Sequence, residues 1–121
     1  MSEIFICTSV ELTEGGKGVR FPVTVGSDDA TGFVVRYEGV VHGYLNRCAH
    51  VPIELDWAPG EFFESSGLYI MCATHGAIYM PDTGYCSGGP CHGSRLRKID
   101  VIEKDGHIFW HPDDYVSPVI A

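Results

Sequence analysis

Two cysteines and two histidines of this sequence form two short pairs that could bind an inorganic centre. Cys48 and His50 make a C-x-H pair. Cys72 and His75 make a C-x-x-H pair, and residues 51–71 separate the two pairs. One such pair alone is more often a buried cysteine beside a hydrogen-bonded histidine. Two pairs, each at the junction of a strand and a loop, instead predict a zinc ion or an iron-sulfur cluster.

The order of the ligands distinguishes these two alternatives. Compact zinc fingers usually take two cysteines from one half of the site and two histidines from the other. Here each half supplies one of each. The mixed pattern resembles the Rieske-type 2Fe-2S ferredoxin family, and the resemblance covers nearly the whole chain. It is carried by the β-rich plan and by the segments "CAH", "CATHG", "PDTG", and "GGPC" leading to "SRLRKIDV".

The resemblance implies one Rieske-type 2Fe-2S cluster and a role for each ligand. Cys48 and Cys72 would bind the buried iron as thiolates. His50 and His75 would bind the outer iron. Pro90, in "GGP", matches the family's loop that covers the cluster from a third side.

The residues after the second pair bear on the reduction potential. High-potential family members carry Ser and Tyr hydroxyls that donate hydrogen bonds to the cluster sulfurs, and two additional cysteines that lock their loops. This chain has Ala77 at the Ser position, Thr74 in place of a loop-locking cysteine, and Tyr79 at the Tyr position. We therefore predict a low-potential centre, somewhat raised if the Tyr79 hydroxyl reaches a cysteine sulfur.

The remaining cysteines and histidines are expected to be structural. Cys86 and Cys91 could form a disulfide, and Cys91-His92 superficially repeats a ligand signature, but small buried thiols beside the cluster are the simpler expectation. Cys7 lies in an apolar strand and is expected in the core. Three histidines have no cysteine near them in sequence and are expected to be structural: His42, His107 and His111.

The chain of 121 residues predicts a single domain, 1–121, with a cluster-binding part at approximately 46–93. Stretches rich in β-branched and aromatic residues recur, and no helix-length amphipathic run interrupts them. Glu38-Gly39 and Asp105-Gly106 predict hairpin turns. The fold class is therefore all-β: an antiparallel β-sandwich or partial barrel with a Rieske-like, cluster-binding subdomain of loops. Residues 51–71 form a long insertion between the two pairs, and we expect Trp57, Phe62 and Phe63 to anchor it.

Charge and composition exclude several classes of function. Sixteen acidic against eight basic residues give a net charge of −8, which disfavours nucleic acid and anionic membranes and favours a basic partner protein. The N-terminus has no signal-peptide pattern, and no segment approaches the roughly 18 apolar residues of a membrane span. With five cysteines, an odd number, a complete disulfide framework is impossible. We expect a cytoplasmic protein.

No nucleophilic triad, carboxylate pair or nucleotide-binding motif is visible, so we expect an electron-transfer protein and not an enzyme. By the resemblance, the chain is a one-electron carrier that passes electrons from a flavin-dependent reductase to a terminal oxygenase, as a component of a multicomponent dioxygenase system. One alternative is a small Rieske subunit of another redox enzyme, such as a nitrite reductase. A non-redox zinc-binding interaction module is a further alternative. A detached oxygenase domain is a third alternative, which is disfavoured because "HPDDYVSPVIA" ends the sequence without an evident continuation.

Overall fold

The structure, a computed structural model, describes residues 3–48, 53–56, 58, 60–73, 76–89 and 93–119. These residues form ten β-strands and a single 3₁₀ turn at Ser9–Glu11, with no α-helix among them. The strands are β1 (Ile4–Thr8), β2 (Val19–Val25), β3 (Asp28–Tyr37), β4 (Val40–Leu45), β5 (Ile70–Met71), β6 (Ile78–Tyr79), β7 (Cys86–Gly88), β8 (Lys98–Lys104), β9 (His107–His111) and β10 (Val116–Ser117). None of the helical structure described is long and apolar enough to cross a membrane.

Seven strands form one antiparallel sheet in the order β1-β9-β8-β4-β3-β2-β10, which curls into a half-barrel. Two of its hairpins turn where the sequence predicts. Glu38 and Gly39 join β3 to β4 with φ of 51° and 78°, and Asp105 and Gly106 join β8 to β9 with the same two values. Positive φ at both central residues gives the twist that a two-residue hairpin requires.

The other three strands form a small sheet in the order β5-β6-β7. Its strands are only two or three residues long. This sheet supports the loop that follows Cys72, because β5 runs directly into that residue and β6 begins just after the loop closes.

The buried hydrophobic residues in the described part of the chain form two clusters. The barrel core lies inside the half-barrel and consists of aliphatic and aromatic side chains around Trp110. The ligand-loop core contains Phe33, Val35 and Tyr44 from the other face of β3 and β4, together with Cys48 and Cys72. Alternation along the strands explains this division, since successive side chains of a strand point to opposite faces.

The structure confirms the all-β prediction and the predicted location of Cys7, which is buried in the barrel core. Burial raises the pKa of the Cys7 thiol to about 11, so it stays protonated and apolar at neutral pH. Three short strands lie outside the stretches from which the sequence predicts strands: β6, β7 and β10. Two points stay predictions: that residues 1–121 form a single domain, and that its cluster-binding part spans approximately 46–93.

Candidate metal centre

The first ligand loop begins where β4 ends. Cys48 is 4% exposed and lies in the ligand-loop core. Its backbone N–H donates a 2.8 Å hydrogen bond to the Ile53 carbonyl, which folds the chain back on itself beyond the loop. His50, the predicted partner of Cys48, lies outside the described residues. The structure therefore places one of the two predicted ligands of this loop.

The second ligand loop is a tight turn that begins at Cys72, which is fully buried. Gly76 donates its N–H to the Cys72 carbonyl at 2.9 Å, and Cys72 donates its own N–H to the Ala77 carbonyl at 2.9 Å. Gly76 has a φ of +72°, a conformation that L side chains adopt with strain. Gly76 thus allows the chain to close this loop. Thr74 and His75 fall in the undescribed part of the chain.

A phenol reaches the first ligand loop from β6. The Tyr79 hydroxyl oxygen lies 3.2 Å from Cys48 Sγ, and both residues are buried. If Cys48 is a thiolate, it has no proton to give, so the Tyr79 hydroxyl is the donor. The condition under which we expect a somewhat raised potential is therefore met. Ala77, also fully buried, presents only a methyl group where high-potential relatives have a hydroxyl.

Gly89, in the segment "SGGP", lies against the second ligand loop. Gly89 has a φ of +91°, and a Cβ at this position would lie 2.9 Å from the Ala77 Cα. Only glycine permits this approach without a shift of the backbone. Pro90, the predicted covering residue, belongs to the residues that the structure leaves undescribed.

Cys86 corrects one expectation. The residue is fully buried as predicted, but it is disulfide-bonded and so is not a free thiol. The odd number of cysteines excludes only complete pairing, and one disulfide is compatible with it. Cys91 and His92, the other residues of that expectation, are outside the described residues. Since disulfides are uncommon in the cytosol, the predicted cytoplasmic location stays a prediction.

A buried polar pair lies behind the ligand loops and was missed by the sequence reasoning. Asn46 and Asp56 are the buried polar residues among those described, at 4% and 9% exposure. The Asn46 Nδ2 donates to Asp56 Oδ1 at 2.9 Å, and the Leu55 N–H donates to Asn46 Oδ1 at 2.8 Å. Nothing in the sequence marks these residues, because their pairing arises only when the chain beyond Cys48 returns to β4.

The insertion between the ligand pairs is anchored by aromatic packing. Phe62 is 1% exposed, and its ring stacks on that of Phe33 with centroids 3.9 Å apart. Phe63 pairs with Ile70 and packs against the ligand-loop core. The anchoring roles predicted for Phe62 and Phe63 are confirmed, and Trp57 lies outside the described residues.

Three histidines outside the two ligand pairs lie in strands: His42 in β4, and His107 and His111 in β9. Burial lowers the pKa of His42, and the nearby positive charge of Lys98 lowers it further. His107 Nδ1 lies 2.8 Å from the Asp105 carbonyl oxygen, and His111 Nδ1 lies 3.1 Å from Asp100 Oδ2. The described residues contain no group of three or more His, Cys, Asp or Glu side chains arranged to hold a metal ion.

Cys48 and Cys72 fit the thiolate side of an iron-sulfur centre. Both are buried in the same core, and each begins a loop closed by backbone hydrogen bonds. A phenol that can donate to a thiolate accompanies one of them. Thiolates, an enclosed apolar surrounding and hydrogen bonds to sulfur are the features by which proteins hold and tune such clusters.

Comparison with known families identifies the class. The family model described as the Rieske 2Fe-2S domain matches residues 2–112. The chain therefore belongs to the Rieske 2Fe-2S domain family, whose members carry one Rieske-type 2Fe-2S cluster. A search of curated protein sequences found no match.

Solved structures show the same fold in particular proteins. The ferredoxin of carbazole 1,9a-dioxygenase from Nocardioides aromaticivorans IC177 matches with a TM-score of 0.72 and 25% identity, over 93% of this chain and 100% of that one. Sphingomonas yanoikuyae B1 ferredoxin matches with a TM-score of 0.70 and 20% identity, over 93% and 100%. The reduced complex between oxygenase and ferredoxin in carbazole 1,9a-dioxygenase matches with a TM-score of 0.65 and 18% identity, over 90% of this chain and 27% of that one.

Proposed function

We propose that this chain is a one-electron carrier of the Rieske ferredoxin type and not an enzyme. Cys48, His50, Cys72 and His75 would hold its single 2Fe-2S cluster. The observation that carries the proposal is the burial of Cys48 and Cys72 in one core, on two closed loops, with the Tyr79 hydroxyl 3.2 Å from the Cys48 sulfur. The family membership of residues 2–112 supports it.

Each residue of the proposed site has a different role toward the cluster. When bound, a Rieske cluster exchanges one electron, and its two imidazole ligands raise its potential above that of an all-cysteine cluster. Cys48 and Cys72 would hold one iron as thiolates, and the apolar core around both cysteines keeps water from their sulfurs. With Cys48 bound as a thiolate, the Tyr79 hydroxyl, 3.2 Å from its sulfur, would be the donor and would favour the more negative, reduced state. Ala77 contributes no second hydroxyl, so we expect the reduction potential to lie in the lower part of the range for Rieske clusters.

The electron acceptor in this proposal is a terminal oxygenase and the donor is a flavin-dependent reductase. The similarity to the ferredoxin of carbazole 1,9a-dioxygenase, at 25% identity over its whole length, supports the oxygenase. The net charge of −8 favours partners with a basic docking surface. A small subunit of another redox enzyme, such as a nitrite reductase, is the alternative.

Spectroscopy of the purified protein tests the electron-carrier proposal. We expect a brown protein with about two iron and two sulfide per chain, as a 2Fe-2S cluster requires, and a rhombic electron spin resonance signal after reduction. A colourless protein that binds zinc would contradict the proposal. Reconstitution with a reductase then separates the acceptors: electrons should reach a terminal oxygenase, and exclusive transfer to a nitrite reductase would favour the alternative.

A further inference from the structure

Residues 53–56, which we call the bridging segment, are hydrogen-bonded to both ligand loops. The Ile53 carbonyl accepts the Cys48 N–H at 2.8 Å, and the Leu55 carbonyl accepts the Ala73 N–H at 3.0 Å. One of these donors is a predicted ligand, and the other immediately follows the predicted ligand Cys72. The two loops are far apart in sequence, and this short segment joins them at the residues nearest the sulfurs.

Asn46 holds the bridging segment in place from the end of β4. Its Oδ1 accepts the Leu55 N–H at 2.8 Å, and its Nδ2 donates to Asp56 Oδ1 at 2.9 Å. Its own backbone N–H donates to the Thr31 carbonyl at 2.7 Å, which fixes it to β3. Both the oxygen and the nitrogen of the Asn46 amide are therefore hydrogen-bonded, and their partners fix the orientation of the amide.

Asp56 completes the arrangement with a fully buried carboxylate. Its Oδ2 accepts the Gly60 N–H at 3.0 Å and lies 3.7 Å from Arg20 Nε. The Asp56 side chain is 0% exposed, whereas that of Arg20 is 31% exposed. A buried charge persists only when it is paired and hydrogen-bonded, so the burial of Asp56 depends on Asn46, Gly60 and Arg20 together.

We propose that Asn46 and Asp56 are positioning residues, which set the distance between Cys48 and Cys72 by fixing the bridging segment. The consequence of this inference for the cluster rests on the proposed function. The hydrogen bonds that join Asn46, Asp56 and the bridging segment, which we call the brace, are a property of the chain alone. It assigns a role to the first part of the insertion: residues 53–56 join the two ligand loops.

Asp56→Asn is the sharpest test because it keeps the size of the side chain. An amide can accept a hydrogen bond from Asn46 or from Gly60 but presents its own NH₂ to the other donor, so one bond is lost. We expect hydrogen exchange of the peptide covering residues 72–77, followed by mass spectrometry in the cluster-loaded protein, to become at least about tenfold faster. The g-values of the reduced cluster should also shift, since the thiolates change their relative position.

Two control variants separate positioning from general stability. Asp113→Asn makes the same chemical change at a carboxylate that also accepts backbone N–H bonds and pairs with an arginine, far along the chain from the ligand loops. Ile108→Val removes one methylene from the barrel core. We expect neither control to accelerate exchange at 72–77 or to move the g-values.

The outcomes are distinct from those of the proposed function. If wild-type protein carries no cluster, the proposed function fails, and the exchange comparison still reports on the brace. If Asp56→Asn leaves exchange at 72–77 and the g-values unchanged, or if Asp113→Asn changes them equally, the positioning role is overturned. Should Asp56→Asn fail to fold, Asn46→Ser provides the same two measurements, and unchanged values there would overturn it.

Discussion

The barrel core and the ligand-loop core share strands β3 and β4 but are stabilised in different ways. Inside the half-barrel, strands of up to ten residues make continuous ladders over an apolar core. On the ligand-loop side, strands of two or three residues alternate with loops, and the brace of Asn46 and Asp56 supplies bonds that no ladder provides. Regular backbone pairing thus supports the barrel, whereas the ligand loops depend on hydrogen bonds from individual side chains.

Cys72→Ser should produce the largest difference between the two regions. Removing a predicted thiolate ligand should abolish cluster binding completely, while the hairpin of β2 and β3 keeps its hydrogen-exchange protection. Visible absorption and exchange measure the two effects. Cys7→Ser makes the same change in the barrel core and should keep the cluster. Retention of the full absorption by Cys72→Ser would contradict the assignment of this ligand.

Phe62→Ala should weaken the ligand-loop core by about 3–5 kcal/mol in the free energy of unfolding, because the ring stacked on Phe33 leaves a cavity. Ile108→Ala in the barrel core should cost about 2–5 kcal/mol. Denaturant unfolding measures both. The two variants should differ in the rate at which a chelator removes iron, which only Phe62→Ala should increase. Equal rates would show that the loops do not depend on this stack.

Glu103→Gln tests an ion pair on the barrel. Arg36 makes two hydrogen bonds to the Glu103 carboxylate, at 3.1 and 2.8 Å, and these bonds hold the pKa of Glu103 below its ordinary value of 4.5. The pair therefore stabilises the fold above pH 4.5, and this contribution is lost as the pH falls through the lowered pKa.

We expect Glu103→Gln to lower the free energy of unfolding by about 1 kcal/mol at pH 7, and to differ less from wild type in acid. Urea titrations at several pH values measure this. Glu61→Gln is the control, because the Lys17–Glu61 pair is exposed and 3.9 Å apart. A Glu103→Gln difference that grows in acid would contradict the sign.

Tyr79→Phe should have the smallest effect on stability and a specific effect on the cluster. Loss of the hydroxyl 3.2 Å from Cys48 Sγ should lower the midpoint potential by roughly 20–60 mV, the equivalent of one ordinary hydrogen bond. Tyr44→Phe removes a buried hydroxyl that donates to the Pro81 carbonyl, and it should leave the potential unchanged. An unchanged midpoint in Tyr79→Phe would show that its hydroxyl does not tune the cluster.

The sequence predicted the parts of the fold that rest on local patterns. Long strands such as β2 and β4 follow from runs of β-branched and aromatic residues, and the turns at Glu38-Gly39 and Asp105-Gly106 follow from their glycines. Strands β6 and β10 are too short to show any periodicity, and they exist because neighbouring strands pair with them.

Only some features of the candidate site could be predicted from the sequence. The Cys and His spacing predicts four ligands, of which Cys48 and Cys72 belong to the described residues. The resemblance singled out Tyr79 as a hydroxyl that could reach a cysteine sulfur, and the structure places it 3.2 Å from Cys48 Sγ. The disulfide at Cys86 was not expected, because small buried thiols beside the cluster were the simpler interpretation of Cys86 and Cys91. The pairing of Asn46 with Asp56 is a tertiary contact between residues that are unremarkable in sequence, so no local pattern could predict it.

The pairing of β1 with β9 has a consequence for the order of folding. Ile4 lies opposite Trp110, so the edge of the large sheet joins residues from opposite ends of the chain. During synthesis this edge cannot form until the residues around Trp110 have left the ribosome, and such non-local pairing slows folding. Cys48 and Cys72, the predicted ligands, are therefore synthesised before the large sheet is complete.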